Sequence, residues 1–186
     1  MRELTRAALI LVVLSVLCGL AYPFAITGLS RLCFPEKAGG SLIIYDGRVT
    51  GSALLGQRFE TGRYFHGRPS ATNYDGSNSG GTNFGPTNRK LVEEVAGRVE
   101  KTRREERLGP KAPVPSDLVL SSGSGLDPDI SLDAAMVQVA RVARERRLPE
   151  GDLGRMVQAS AEGSYWGGPA RVNVLKLNLA LERMGH

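Results

Sequence analysis

The chain has 186 residues, which is enough for one domain of ordinary size and an appendage. Its formal net charge is +5, and it contains two cysteines and two histidines. So few cysteines and histidines exclude a disulfide-stapled domain and leave little material for a zinc centre.

The N-terminal segment is apolar, with no charged residue from residue 7 to residue 30 and with Arg6 and Arg31 at its ends. A helix rises 1.5 Å per residue, so about 20 residues cross a hydrocarbon core of about 30 Å. We therefore predict a transmembrane helix over residues 7–29. The alternative is a cleaved signal peptide with a small-x-small site at residues 19–21, but the apolar run continues past Pro23.

Two features of this helix bear on its packing and its orientation. Ser15 and Gly19 lie four residues apart on one face, where another helix can approach closely, and Pro23 should kink the segment one turn later. The basic flank, residues 1–6, is expected in the cytoplasm. The domain formed by residues 30–186 is then extracytoplasmic, on a single-pass protein of the cell inner membrane.

After this helix, the β-formers of residues 42–45 are followed by Asp46-Gly47 and a second short β-forming run. Asp-Gly between extended segments predicts a hairpin, because both central residues of a type I′ turn need positive φ. Next comes an aromatic-rich stretch, GRYFHGRPSATNYDG, whose backbone geometry the pattern does not define.

A helix is predicted from Thr87 or Asn88, as its N-cap, to about Leu108. Its apolar positions recur at four-residue steps, at Leu91, Val95 and Val99. The basic and acidic residues of its second half occur at ion-pair spacings, which indicates a solvated face and no nucleic-acid partner.

Four further elements complete the predicted domain. They are a strand over residues 117–120, a helix that is capped by Ser131 and buries Ala135, Val139 and Val142 or a neighbouring face, a short helix over residues 152–159, and a final helix capped by Asn173. The fold class is therefore a single N-terminal transmembrane helix followed by one soluble α/β or α+β domain.

The sequence contains no convergent set of catalytic or metal-binding residues. With His186 at the terminus, a histidine-based site would have to use His66, which has no partners at the spacing of a known motif. We expect His66 to have a structural role. We also expect the chain to have no catalytic residue and no metal site. The glycine-rich loop SNSGGTNFGPTN, residues 77–88, does not match a P-loop, and its residues alone favour a structural bend over a phosphate cradle.

Six motifs together resemble the C subunit of the bacterial high-affinity potassium-transporting ATPase, the Kdp complex. They occur in that family's order after the N-terminal helix: GSLIIYDGRVTGSALLGQRF, YFHGRPSATNYD, SGGTNFGPTN, VPSDLVLSSGSGLDPDIS, QVARVARERRLP and RVNVLKLNLAL. The family usually carries Ser, Leu and His at the positions of Thr82, Phe84 and Asp129. These departures leave the resemblance intact.

The resemblance implies a non-catalytic accessory subunit of an ATP-driven potassium pump. Its partners would be an ATP-hydrolysing P-type subunit, a potassium-conducting channel-like subunit, a small single-span subunit and membrane lipid. The family is proposed to act as a catalytic chaperone that raises the ATP affinity of the P-type subunit. The nucleotide-binding positions of that proposal correspond here to Ser79, Gly80, Gly81 and Gln138. The ATP would be shared with the P-type subunit, and no cofactor would be tightly bound.

Topology conflicts with this nucleotide role, because an extracytoplasmic domain cannot meet cytoplasmic ATP. The alternative is an extracytoplasmic clamp on the potassium-conducting subunit with no nucleotide role. An unrelated membrane-anchored binding module and a membrane-tethered hydrolase are the other classes that the residues leave open.

Overall fold

The computed structural model describes residues 1–163 and 167–184. It divides into two compact units, Met1–Leu42 and Ile43–His186. The prediction of an apolar N-terminal helix followed by an α/β-type domain is confirmed.

The first unit is one helical rod from Arg2 to Cys33, long and apolar enough by length and composition to cross a membrane. It consists of α1 (Arg2–Val16), a π-helical turn (Leu17–Ala21) and α2 (Tyr22–Cys33). A single-turn helix, α3 (Pro35–Ala38), follows.

The π-helical turn lies directly before Pro23, where the sequence predicts a kink. Proline has no N–H for the carbonyl four residues back, and its ring crowds that carbonyl. The helix widens one turn earlier, where the N–H of Tyr22 donates to the Leu17 carbonyl, five residues back. The regular hydrogen-bonding pattern is thus interrupted as Pro23 requires.

The second unit begins with the predicted hairpin, β1 (Leu42–Tyr45) and β2 (Arg48–Ser52). Asp46 and Gly47 have φ of 49° and 73°, which agrees with a type I′ turn. The aromatic-rich stretch and the glycine-rich loop follow as irregular chain, up to α4 (Arg89–Glu105).

Helix α4 begins at the predicted residue and ends earlier than predicted. The Asn88 side chain accepts a hydrogen bond from the Lys90 N–H at 2.9 Å. At the other end, Arg107 has φ of 53°, and the Leu108 N–H donates to the Arg103 carbonyl at 2.9 Å. This left-handed residue turns the chain before Leu108 can join the helix.

The predicted strand over residues 117–120 is wrong. Ser116–Leu118 form a 3₁₀ turn, in which the N–H groups of Val119 and Leu120 donate to the Ser116 carbonyl. The Asp117 side chain accepts a hydrogen bond from the Ser131 N–H at 2.7 Å. Local turn bonds have replaced the ladder that a strand would need.

The remaining elements are β3 (Asp129–Ser131), α5 (Leu132–Arg146), α6 (Glu150–Ala159), β4 (Arg171–Asn173) and α7 (Val174–Met184). Strands β3 and β4 pair antiparallel, with Ile130 opposite Val172. The sequence did not predict these three-residue strands. The predicted caps are confirmed, since Ser131 accepts from the Ala134 N–H and Asn173 from the Lys176 N–H.

The hydrophobic core lies where α5, α6 and α7 meet the β3–β4 ribbon, and Phe65 of the aromatic-rich stretch is inserted into it. The predicted buried face of α5 is confirmed. The core consists of Phe65, Ile130, Ala134, Ala135, Val139, Val142, Ala143, Leu153, Val157, Val172, Val174, Leu177 and Leu181.

Candidate functional site

Two buried amide side chains hold the aromatic-rich stretch at Phe65 and His66. Asn178 of α7 accepts the Phe65 N–H at 2.9 Å and donates to the Phe65 carbonyl at 3.0 Å. Gln138 of α5 does the same for His66, at 2.7 and 3.1 Å. Because a buried backbone group without a partner is costly, these two amides take the place of a neighbouring strand.

The rest of the Gln138 amide is also engaged. Its Nε2 donates to the Ala134 carbonyl at 3.1 Å, and its Oε1 accepts from Arg141 Nη2 at 2.8 Å. An amide has two donor hydrogens and two acceptor lone pairs. All four are therefore used inside the protein, and the residue is 1 % exposed.

Arg141 of α5 joins this stretch to Glu106, the residue that follows α4. Its Nη1 donates to the carbonyls of Gly62 and Tyr64 at 2.7 and 3.0 Å, and its Nε donates to Glu106 Oε1 at 2.8 Å. Both partners of this ion pair are buried. The other carboxylate oxygen, Oε2 of Glu106, is buried without a hydrogen-bond partner. Burial raises the pKa of Glu106, and the charge of Arg141 opposes that rise.

The His66 ring lies beside this network, with Nε2 3.1 Å from the Thr61 carbonyl. Burial lowers the pKa of His66, and the nearby charge of Arg141 lowers it further. The ring is therefore biased toward its neutral form, as suits a structural histidine. The other histidine, His186, lies outside the described residues.

A cavity of about 380 Å³ opens beside Gln138 and His66, between the aromatic-rich stretch and α4. Its charged lining residues are Arg58, Arg68, Arg98, Lys101, Glu60, Glu105 and Glu106. The cations have carboxylate partners, such as Asp127 for Arg68 at 3.0 Å and Glu94 for Arg98 at 3.2 Å. The cavity is thus polar, with much of its positive charge already balanced.

The glycine-rich loop packs on a second loop formed by residues 122–125. The Gly80 N–H and the Ser79 hydroxyl both donate to the Ser124 carbonyl, at 2.8 and 3.1 Å. A Cβ at Gly81 would lie 3.0 Å from the Gly123 carbonyl oxygen. The loop residues predicted from the family resemblance are therefore engaged in packing.

The structure does not bring all the sequence-predicted site residues together. The hydrogen bonds of Ser79 and Gly80 lead to residue 124, whereas those of Gln138 lead to residues 66, 134 and 141. Of these residues, Gln138 lines the cavity, and the loop residues are not among its lining.

Ser15, Gly19 and Pro23 lie on the N-terminal helix, in the first unit. All three are exposed, and a Cβ at Gly19 would meet no atom within 4 Å. Both cysteines, Cys18 and Cys33, are free. Among the described residues, no group of three or more His, Cys, Asp or Glu could hold a metal ion.

Sequence reasoning missed Arg141, Asn178 and Glu106, which complete the polar network. A signal was present for the first, because Gln138 and Arg141 are three residues apart on the face of α5 that carries Ala134 and Val142. Polar residues on a core-facing stripe indicate a buried hydrogen-bond network. Asn178 likewise interrupts the apolar stripe of α7.

Comparisons with known proteins agree on one family. The model of the family KdpC, "K+-transporting ATPase, c chain", matches residues 4–183. A Potassium-transporting ATPase KdpC subunit of Rhodopseudomonas palustris (strain BisB5) is 50 % identical, with 98 % of this chain and 97 % of the relative covered. The same subunit of Methylobacterium nodulans is 50 % identical, with 96 % of each chain covered. That of Bradyrhizobium diazoefficiens is 47 % identical, with 98 % of each covered.

Proposed function

This chain belongs to the KdpC family and is an accessory subunit of a K⁺-transporting ATPase, and we propose that it acts as a non-catalytic clamp on the outer face of the membrane. In this proposal the helix Arg2–Cys33 anchors the chain in the cell inner membrane, with the basic N-terminal flank in the cytoplasm. The domain holds the potassium-conducting subunit in its active form, and other subunits of the pump hydrolyse ATP.

The observation that carries the proposal is the saturation of the Gln138 amide. All four hydrogen-bonding positions of that amide are occupied by protein groups, and Gln138 and Asn178 together tie the aromatic-rich stretch to α5 and α7. A catalytic or ligand-binding group needs a free donor, acceptor or lone pair that faces its substrate. Gln138 is therefore better suited to holding a rigid binding surface than to contacting a ligand.

A second candidate function is the nucleotide role, in which the domain raises the ATP affinity of the P-type subunit. The observation in its favour is the cavity, where Gln138 lies among several cationic side chains that could attract phosphate groups. It requires the cavity to face the cytoplasm. The KM for ATP of the assembled pump should then rise on Arg98→Gln, and should not change on Lys90→Gln at the exposed start of α4.

The clamp is tested at the membrane helix with a matched pair of glycines. Gly19 and Gly28 both have open space where a Cβ would be, so neither substitution disturbs the chain itself. Gly19→Leu fills the small-residue face formed with Ser15, whereas Gly28→Leu lies nine residues further, on a different face. Gly19→Leu should reduce co-purification of the potassium-conducting subunit and the activity of the pump. Equal effects of the two substitutions would contradict a specific helix contact.

A further inference from the structure

The outward face of the hairpin is apolar. Tyr45 and Arg48 flank the two-residue turn, so the next pair, Ile44 of β1 and Val49 of β2, stand opposite each other on one face of the ribbon. They are 63 % and 61 % exposed, and Leu54, just beyond β2, is 61 % exposed. An antiparallel ribbon with one face in water carries polar residues on that face. This ribbon instead has apolar side chains on the face without a partner.

The inward face is fixed to the rest of the second unit. Ile43 and Tyr45 are half-buried, and the guanidinium of Arg183 lies 5.9 Å from the Tyr45 ring. Beyond β2, Asn173 Nδ2 donates to the Ala53 carbonyl at 2.9 Å. The outward face is therefore held in place by the fold, and its exposure is not the result of a loose segment.

The chain between the helix and the hairpin is short. Eight residues, 34–41, connect Cys33 to β1, and four of them form α3. Four helical residues and four extended ones span at most about 20 Å. The headgroup layer is about 5–8 Å thick on each side of the hydrocarbon core. Residues 30–33 add about 6 Å of helix beyond the predicted membrane segment, so the hairpin stays within about 26 Å of the membrane boundary, at a high effective concentration near lipid.

We propose that the face formed by Ile44 and Val49 contacts the lipid bilayer at the boundary between headgroups and acyl chains. This inference rests on the membrane anchoring proposed above. The exposed Arg48 precedes Val49 and starts on the other face of the ribbon, with Tyr45, but its long side chain at the end of the strand can extend to lipid phosphate. Contact with the bilayer transfers the apolar side chains of this face from water to the acyl-chain region, as in other interfacial segments. The bilayer is favoured over a protein partner because the tether confines the hairpin near lipid.

The test uses the full-length chain in nanodiscs of phosphatidylcholine and phosphatidylglycerol, with and without brominated acyl chains. The chain has one tryptophan, Trp166, which is replaced by Phe as background. Single tryptophans are then placed by Val49→Trp on the hairpin and by Val92→Trp on α4. Val92 is a matched control, since it is also valine and is 57 % exposed. Leu11→Trp, in the helix, reports whether the helix lies in lipid.

Brominated lipid should quench Val49→Trp and Leu11→Trp, blue-shift the emission of both, and leave Val92→Trp unchanged. Quenching of Leu11→Trp without quenching of Val49→Trp would overturn the hairpin inference and leave the anchor intact. A blue shift of Val49→Trp without quenching would mean that protein covers the hairpin. That result would also overturn the inference of lipid contact. Failure to quench Leu11→Trp would overturn the anchoring itself.

Discussion

At the scale of single residues, the polar network around Gln138 determines how the aromatic-rich stretch is held. Gln138 and Asn178 each satisfy both backbone groups of one residue, so two consecutive residues are fixed without a strand. Such an arrangement is rigid because each amide has a single orientation that fits both partners. We therefore regard Gln138 as a positioning residue of the fold.

Replacing Gln138 should destabilise the domain strongly. Gln138→Ala leaves the His66 N–H, the His66 carbonyl and one Arg141 donor without partners in a buried place, at a cost of roughly 2–4 kcal/mol in the free energy of unfolding. Thermal unfolding of the full chain in detergent, followed by circular dichroism, measures the loss. Gln158→Ala on α6 is the control, because that residue is exposed. Similar stabilities of the two variants would contradict the structural role.

His66 gives the domain a specific pH dependence. Because burial lowers its pKa in the folded state, the unfolded chain binds a proton first as the pH falls below about 6.5. The stabilising contribution of neutral His66 is therefore complete above that pH and is lost as the pH falls toward the lowered pKa. Glu106 contributes with the opposite sign, since its raised pKa lowers stability as the pH rises.

The contribution of His66 can be isolated by difference. Unfolding free energies of the unsubstituted chain and of His66→Asn, measured between pH 5 and 7.5, should differ by an amount that shrinks as the pH falls. A difference that does not vary with pH would show that His66 has the same proton affinity folded and unfolded.

At the scale of elements, the glycine-rich loop has its shape because it packs on residues 122–125. Gly125 has φ of 69°, and a Cβ there would lie 2.7 Å from the Gly80 carbonyl oxygen and 2.6 Å from the Thr72 hydroxyl oxygen. A side chain would be strained by its backbone conformation and would also push the two loops apart. The contact between the loops is thus possible only with glycine at position 125.

Gly125→Ala should accordingly lower the free energy of unfolding by roughly 2–4 kcal/mol, through the backbone strain and the clash. Gly123→Ala, two residues earlier in the same loop, is the matched control, because a Cβ there meets no atom within 4 Å. The control should change stability by less than about 0.5 kcal/mol. Urea denaturation of the full chain in detergent measures both. An undisturbed Gly125→Ala protein would contradict the close packing of the loops.

The elements that were predicted correctly are those formed by interactions between residues close together in the sequence. The hairpin turn at Asp46-Gly47 and the helix caps at Asn88, Ser131 and Asn173 depend on a side chain and backbone groups within a few residues. The apolar periodicity of α5 likewise identified its buried face. Local chemistry of this kind can be read from a short window.

The features that the sequence did not predict depend on distant parts of the chain. Strands β3 and β4 are three residues long and become a ribbon only because residues 129–131 and 171–173 meet. The bonds of Asn178 to Phe65 cross 113 residues. The supposed strand at residues 117–120 had β-forming residues, but Asp117 is engaged by the Ser131 N–H and stabilises a turn instead. Tertiary partners decided each of these cases.

At the scale of the whole molecule, the role of the domain depends on which side of the membrane it occupies. The candidate nucleotide-binding residues are engaged in packing, and the basic N-terminal flank favours a cytoplasmic N-terminus. A domain on the outer side can contact the potassium-conducting subunit and outer-leaflet lipid, and it has no access to cytoplasmic ATP. A domain in the cytoplasm would restore the nucleotide role as the better proposal.

Thiol accessibility in cells that carry the complete pump tests this claim most directly. Cys18 and Cys33 are replaced by Ser, and a single cysteine is placed by Lys101→Cys on α4, where the side chain is 67 % exposed. A second variant carries Thr5→Cys in the N-terminal flank. We predict that a membrane-impermeant maleimide labels Lys101→Cys in intact spheroplasts, and labels Thr5→Cys only after permeabilisation. The reverse pattern would place the domain in the cytoplasm and contradict the proposed outer clamp.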